Sequence, residues 1–168
     1  MIHFNKSITY IVLLGTMLST AAYAQTKKQA TMKQMEDTPL FPKGNPLPES
    51  YFVGNAFLTP LIAKDKNNDF AMGSVTFEPG ARTNWHTHPR GQVLIVTEGA
   101  GFYQEKGKPA QPIKKGDVVN IPENTEHWHG AAAKTKMVHI AVTNYKEEQN
   151  VVWLGPVSEE EYNVVNKQ

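Results

Sequence analysis

The sequence predicts an all-β fold, an antiparallel sandwich or barrel carrying one short C-terminal helix, on three observations. Short apolar and β-branched segments recur every 10 to 15 residues from Tyr51 onward, and Gly or Pro punctuates each gap. Within several of them apolar and polar residues alternate, the period-2 signature of strands with one buried face. The single helix signal comes last: Ser158 with Glu161 three residues on forms a capping box ahead of Tyr162-Asn163-Val164-Val165.

Taken in order, residues 1–24 read as a secretory leader: a basic start ending at Lys6, an apolar run from Ile8 to Met17, and Ala22-Tyr23-Ala24 as a small-x-small cleavage site before Gln25. The run is short for a membrane span, so the expectation is an exported, periplasmic protein with no membrane attachment after cleavage. Residues 25–49 read as a flexible lead-in, with Pro39, Pro42, Pro46 and Pro48 opposing regular structure; a helical arm over 26–36 is weakly encoded. Residues 50–168 hold the domain. Strands are expected at Tyr51 to Val53, Ala56 to Thr59, Phe70 to Phe77, Thr83 to His88, Gln92 to Glu98, Gly101 to Glu105, Asp117 to Ile121, His127 to His129 and Lys136 to Tyr145. Between them, Lys64 to Asp69 reads as a solvated loop.

Composition narrows the chemistry. With 17 basic against 16 acidic residues there is no charge excess to recruit nucleic acid. Zero cysteines exclude disulfides, thiolate ligands and a cysteine nucleophile.

Five of the six histidines fall between residues 86 and 139. Side chains two apart on a strand share a face, so His86 pairs with His88 and His127 with His129. Gln92, four residues past His88 and leading into Val93-Leu94-Ile95-Val96, can enter the same site from the next strand. Three imidazoles and an amide oxygen suit one divalent first-row ion, with manganese, iron and zinc all chemically compatible. A neutral Gln92, where a carboxylate would offset one charge, leaves the ion a stronger Lewis acid. His129 shares a face with His127 and is read as a nearby donor or acid. His139 shares the inward face of Val138 to Thr143 with Ala141 and Thr143, and is read as the proton carrier. Thr83 is read as a partner for a substrate hydroxyl.

These residues carry a resemblance. Gly80, His86, His88, Gln92 and Gly99 are spaced as in the first motif of the cupins, and Gly116, Pro122 and His127 resemble the second. Gln92 replaces the usual acid, Asn124 the usual second-motif glycine, and Ala131 the usual asparagine. Ser74 to His88, Gly91 to Gly99, Gly116 to Ala132, Val152-Trp153 and Ser158 to Tyr162 resemble more closely the manganese-dependent cupin hydroxynitrile lyases. They also resemble the cupins associated with carboxymuconolactone decarboxylase. The resemblance implies a double-stranded β-helix, or jelly-roll barrel, and manganese held by His86, His88, Gln92 and His127. It further implies His139 as base with His129 and Thr83 near the substrate, and a small hydroxylated or carbonyl substrate. A homodimer is expected, with Tyr51 to Thr59 as an edge for pairing. Two positions depart from the lyases: Thr143 stands where they carry glutamine, and Gly73 where they carry alanine. An oxygen-activating cupin and a non-catalytic periplasmic carrier of a metal or small ligand are the alternatives.

Overall fold

The computed structural model describes residues 22–29 and 39–167. Residues 1–21 of the expected leader and residues 30–38 of the expected lead-in lie outside the described residues; residues 22–29 form a helical stretch, α1. The chain divides into two units, residues 1–39 and residues 40–168.

The second unit is built almost wholly of antiparallel strands. In chain order they are β1 (Asn45–Pro46), β2 (Phe52–Val53), β3 (Ala56–Ile62), β4 (Phe70–Phe77), β5 (Arg82–Thr83), β6 (His86–Thr87), β7 (Gln92–Glu105), β8 (Gln111–Lys114), β9 (Val118–Ile121), β10 (His127–Ala131), β11 (Met137–Asn144) and β12 (Val152–Trp153). They curl in the order β1-β3-β4-β11-β7-β10-β5-β2, with β6, β8, β9 and β12 attached along that path. The long strand β7 joins the two halves. Its first part pairs with β9 and β11, its last part with β8 and β10.

Two expected strands, Gln92 to Glu98 and Gly101 to Glu105, are therefore one. Gly99 marks the change of partners rather than a break. It sits at φ +69°, and a Cβ there would run into the Lys136 carbonyl oxygen, so only glycine suits the crossing of these two backbones. The second-motif position Asn124 likewise holds φ +57°, a conformation asparagine tolerates better than most residues, which explains how glycine is dispensable there.

The proline-containing segment does not stay irregular throughout. Asn45–Pro46 pairs with Phe57 and Leu58, so β3 is covered at that point by β1 instead of forming the outermost edge. Proline is compatible with such a margin because the amide hydrogen it lacks is not needed there.

Alternation along β7 buries Gln92, Leu94 and Val96, and along β11 it buries Met137, His139 and Thr143. Of these, Leu94, Val96 and Met137 join Phe52, Val75, Phe77 and Ile121 in the main core. The outer face of β10 is covered as well: Trp128 packs with Trp85, Val157, Tyr162 and Val165 beneath the C-terminal helix α2 (Glu159–Val165). The Ser158 and Glu161 capping box is formed.

Arg82 locks this helix down. Its Nε and Nη2 donate to the Val157 carbonyl at 3.3 and 3.0 Å, Nη2 also meets Glu159 at 2.7 Å, and the guanidinium lies 4.3 Å over the Tyr162 ring. The Arg82 side chain is 3% exposed and the Glu159 carboxylate 72%, so the helix is held chiefly through the carbonyl and the ring. Arg82→Ala is expected to lower the unfolding free energy by about 2–4 kcal/mol in denaturant titrations, because it strands a buried carbonyl and opens a void. Glu159→Ala should cost less than about 1 kcal/mol.

Candidate metal centre

The histidine cluster forms where β6, β7, β10 and β11 present their inward side chains. Register explains the meeting: His86 lies opposite His127 on the β6/β10 ladder, and Gln92 opposite Thr143 on the β7/β11 ladder. Ring centroids of His86 and His88 are 4.9 Å apart, His86 and His127 4.2 Å, and His88 and His127 5.5 Å.

Each of these three imidazoles is oriented through its Nδ1 by a backbone carbonyl: His86 by Asn84 at 2.9 Å, His127 by Thr125 at 2.8 Å, and His88 by Asn150. A carbonyl only accepts, so each Nδ1 carries the hydrogen and each Nε2 keeps its lone pair. His88 Nε2, His127 Nε2 and Gln92 Oε1 are buried without any hydrogen-bond donor. Buried lone pairs that meet no donor are costly, and a cation satisfies all of them together. Among the described residues, no aspartate or glutamate lines the cavity beside them.

His129 stands next to this group. One ring nitrogen from each of His86, His127 and His129 lies within 4.8 Å of the others, so this histidine triad could itself hold an ion. His129 differs from the other two in its orientation, since its Nδ1 faces His139 Nε2 at 3.2 Å instead of a carbonyl. Phe77 packs against both rings of this pair. The free ends of the pair, His129 Nε2 and His139 Nδ1, are buried and unpartnered. Thr83 Oγ1 accepts the His129 backbone N–H at 3.2 Å, which leaves its own hydrogen for another acceptor.

Burial sets the charge state. It pushes His127 and His139 down to about 4, and lowers His88, against an ordinary imidazole value of 6.5. His86 and His129 are driven well below that value by burial first, then by the neighbouring imidazoles. All five are neutral at pH 7, ready to ligate or to accept a proton.

A cavity of about 530 Å³ opens over the cluster, lined by His86, His88, Gln92, His129, His139, Thr83 and Thr143. His127 lies behind that surface, fully buried. Most of the remaining wall is apolar, including Leu47, Leu58, Pro60, Ile62, Met72, Val75 and Trp153, with Lys64 and Asn150 as polar exceptions. Several of these contributions are invisible in the letters. Any residue carries a carbonyl, so nothing singled out Asn84, Thr125 or Asn150. Lys64, read as part of a solvated loop, lines the mouth and binds Glu148 at 2.6 Å and the Glu147 carbonyl. Trp153 stacks on Tyr51 at 4.7 Å and approaches His86 at 4.9 Å.

The family described as "Cupin domain" matches residues 73–143. An (R)-mandelonitrile lyase from Granulicella tundricola is 44% identical over 115 residues, covering 68% of this chain and 88% of that protein. A cupin-like protein from Thermotoga maritima superposes with a TM-score of 0.73 at 47% identity, covering 77% of this chain and 98% of that one. A DMSP lyase from Ruegeria pomeroyi shares the fold alone, at 19% identity and a TM-score of 0.54 over 72% of this chain and 62% of that one. With two histidine-bearing motifs on adjoining strands of one curled sheet, and a relative of this identity matched over most of its length, the chain belongs to the cupin family.

Proposed function

We propose that this cupin is an exported, metal-dependent lyase that cleaves a small cyanohydrin into an aldehyde and hydrogen cyanide. The observation that carries this reading is the buried His129–His139 pair beside a cluster of lone pairs suited to a cation. The mandelonitrile lyase relative supports it. His86, His88, His127 and Gln92 would hold the ion, with manganese preferred by resemblance and iron or zinc compatible with the same donors. When bound, it supplies a concentrated positive charge that stabilises the oxygen on which negative charge develops.

The protein's own part is proton transfer. With His139 Nε2–H donating to His129 Nδ1, each ring has one useful free end: a lone pair on His139 Nδ1 and a hydrogen on His129 Nε2. His139 Nδ1 takes the substrate hydroxyl proton while the bond to the nitrile carbon breaks and its electrons leave with cyanide. His139 passes its Nε2 proton to His129, and His129 Nε2–H protonates the departing anion. Atoms and charge balance, with the pair returning through tautomer exchange. Thr83, in the cavity lining, would orient the hydroxyl, and the largely apolar wall suits an aryl or alkyl substituent.

Chirally resolved mandelonitrile tests this. Protein reconstituted with manganese should release benzaldehyde from one enantiomer, and chelator-treated protein should not. Equal rates with and without metal, or no rate above buffer, would remove the lyase reading. Export to the periplasm and pairing of two copies through the remainder of the β3 edge belong to the same proposal.

A further inference from the structure

We infer that Thr143 is a positioning residue: its hydroxyl supplies the acceptor that the Gln92 amino group needs when the carboxamide oxygen faces the metal site. The inference rests on the metal-centre reading above and concerns ion binding, not turnover.

A carboxamide has two chemically opposite ends of nearly the same shape. Its oxygen can ligate a cation, whereas its amino group cannot. Gln92 is 6% exposed, so neither end can be left to solvent. Its Nε2 donates to Thr143 Oγ1 at 2.9 Å, and its Oε1 is buried without a donor. The contact follows from the sheet: Thr143 and Gln92 are direct cross-strand partners, both on the inward face.

The competing orientation is easy to identify. Gln92 lies beside His88, whose Nε2 is a bare acceptor. Turned over, the amide would donate its N–H to that nitrogen and occupy a lone pair the ion needs. In the ligating orientation the amino group must find its acceptor on the far side, and Thr143 Oγ1 supplies it. A valine at this position would fill the same volume and leave the buried N–H without a partner whenever the oxygen faces the site, so the ligating orientation becomes costly.

Metal-free full-length protein titrated with manganese, with free ion followed by electron paramagnetic resonance, tests the idea. Thr143→Val should bind manganese about 10–100-fold more weakly than wild type, and Thr143→Ser, which keeps the hydroxyl, within about threefold. A carboxylate offers an oxygen whichever way it turns, so adding Thr143→Val to the Gln92→Glu background should weaken binding by less than about threefold. Unchanged affinity in Thr143→Val, or the same loss in both backgrounds, would overturn the inference. Thermal melts of the metal-free variants separate misfolding from weakened binding, and failure of Thr143→Ser to rescue a folded, weak-binding Thr143→Val would also overturn it. Wild type that binds no manganese would sink this inference together with the metal centre. Tight binding without mandelonitrile turnover would sink only the lyase reading.

Discussion

Manganese-loaded His139→Gln is expected to lose at least about a hundredfold in kcat for cyanohydrin cleavage while keeping its metal and its KM within about threefold. Glutamine can fill much of the buried space and can still donate to His129 Nδ1, but it cannot accept and release a proton. His139 has no exposed surface, and its ring meets His129 Nδ1 through Nε2, so the loss would report proton transfer and not ligation. His129→Gln should lose a comparable factor, and the double variant should be little worse than either single one, since a relay cut at one link gains nothing from a second cut. Steady-state rates with metal content measured on the same samples decide the matter. Independent, additive losses would mean that the two imidazoles do separate jobs, and an active His139→Gln would assign the base elsewhere.

The pair was legible because strand parity is a strong constraint. A period of two residues is enough to put His127 with His129, and His139 with Thr143, on inward faces once the segments are read as strands. The same parity brought Gln92 to the cavity from the first residue of β7. What the letters lacked was anything carried by the backbone or by register. The carbonyls that fix three imidazole tautomers come from residues of no special type. The Thr143 hydroxyl acquires meaning only when β11 is aligned with β7, so in the sequence it stood out solely as a departure from the lyases. Glycine misled in one place, since Gly99 and Gly101 read as an interruption where the chain instead passes continuously from one set of partners to another. Proline misled in another, because β1 is a two-residue strand that pattern alone does not announce. Arg82 gave no signal either; a buried guanidinium beneath a C-terminal helix is a tertiary fact, and only the helix start was written locally.

Acid should unfold the metal-free protein well before it touches ordinary carboxylates, and metal should postpone this. His127 and His139 titrate near 4 in the folded protein and near 6.5 when unfolded. Below 6.5 the unfolded chain therefore binds protons that the folded one refuses, so stability falls as pH drops, with the loss accumulating from about 6.5 and complete only below about 4. For His139 alone a shift of this size corresponds to roughly 3 kcal/mol, and His86, His88 and His129 are displaced in the same direction. An ion at about a hundred times its Kd adds about 2.7 kcal/mol, on the order of 5–10 °C in Tm for a protein of this size, and holds the imidazoles unprotonated to lower pH. Melting curves from pH 7.5 to 3.5, with manganese and with chelator, should diverge most where the imidazoles of the metal-free protein are still neutral. They should converge once protons displace the ion from the same Nε2 atoms. Chelated protein whose Tm is flat between pH 7 and 5 would show that the imidazoles are not buried as neutral bases, and both the ligand set and the proton relay would then lose their chemical footing.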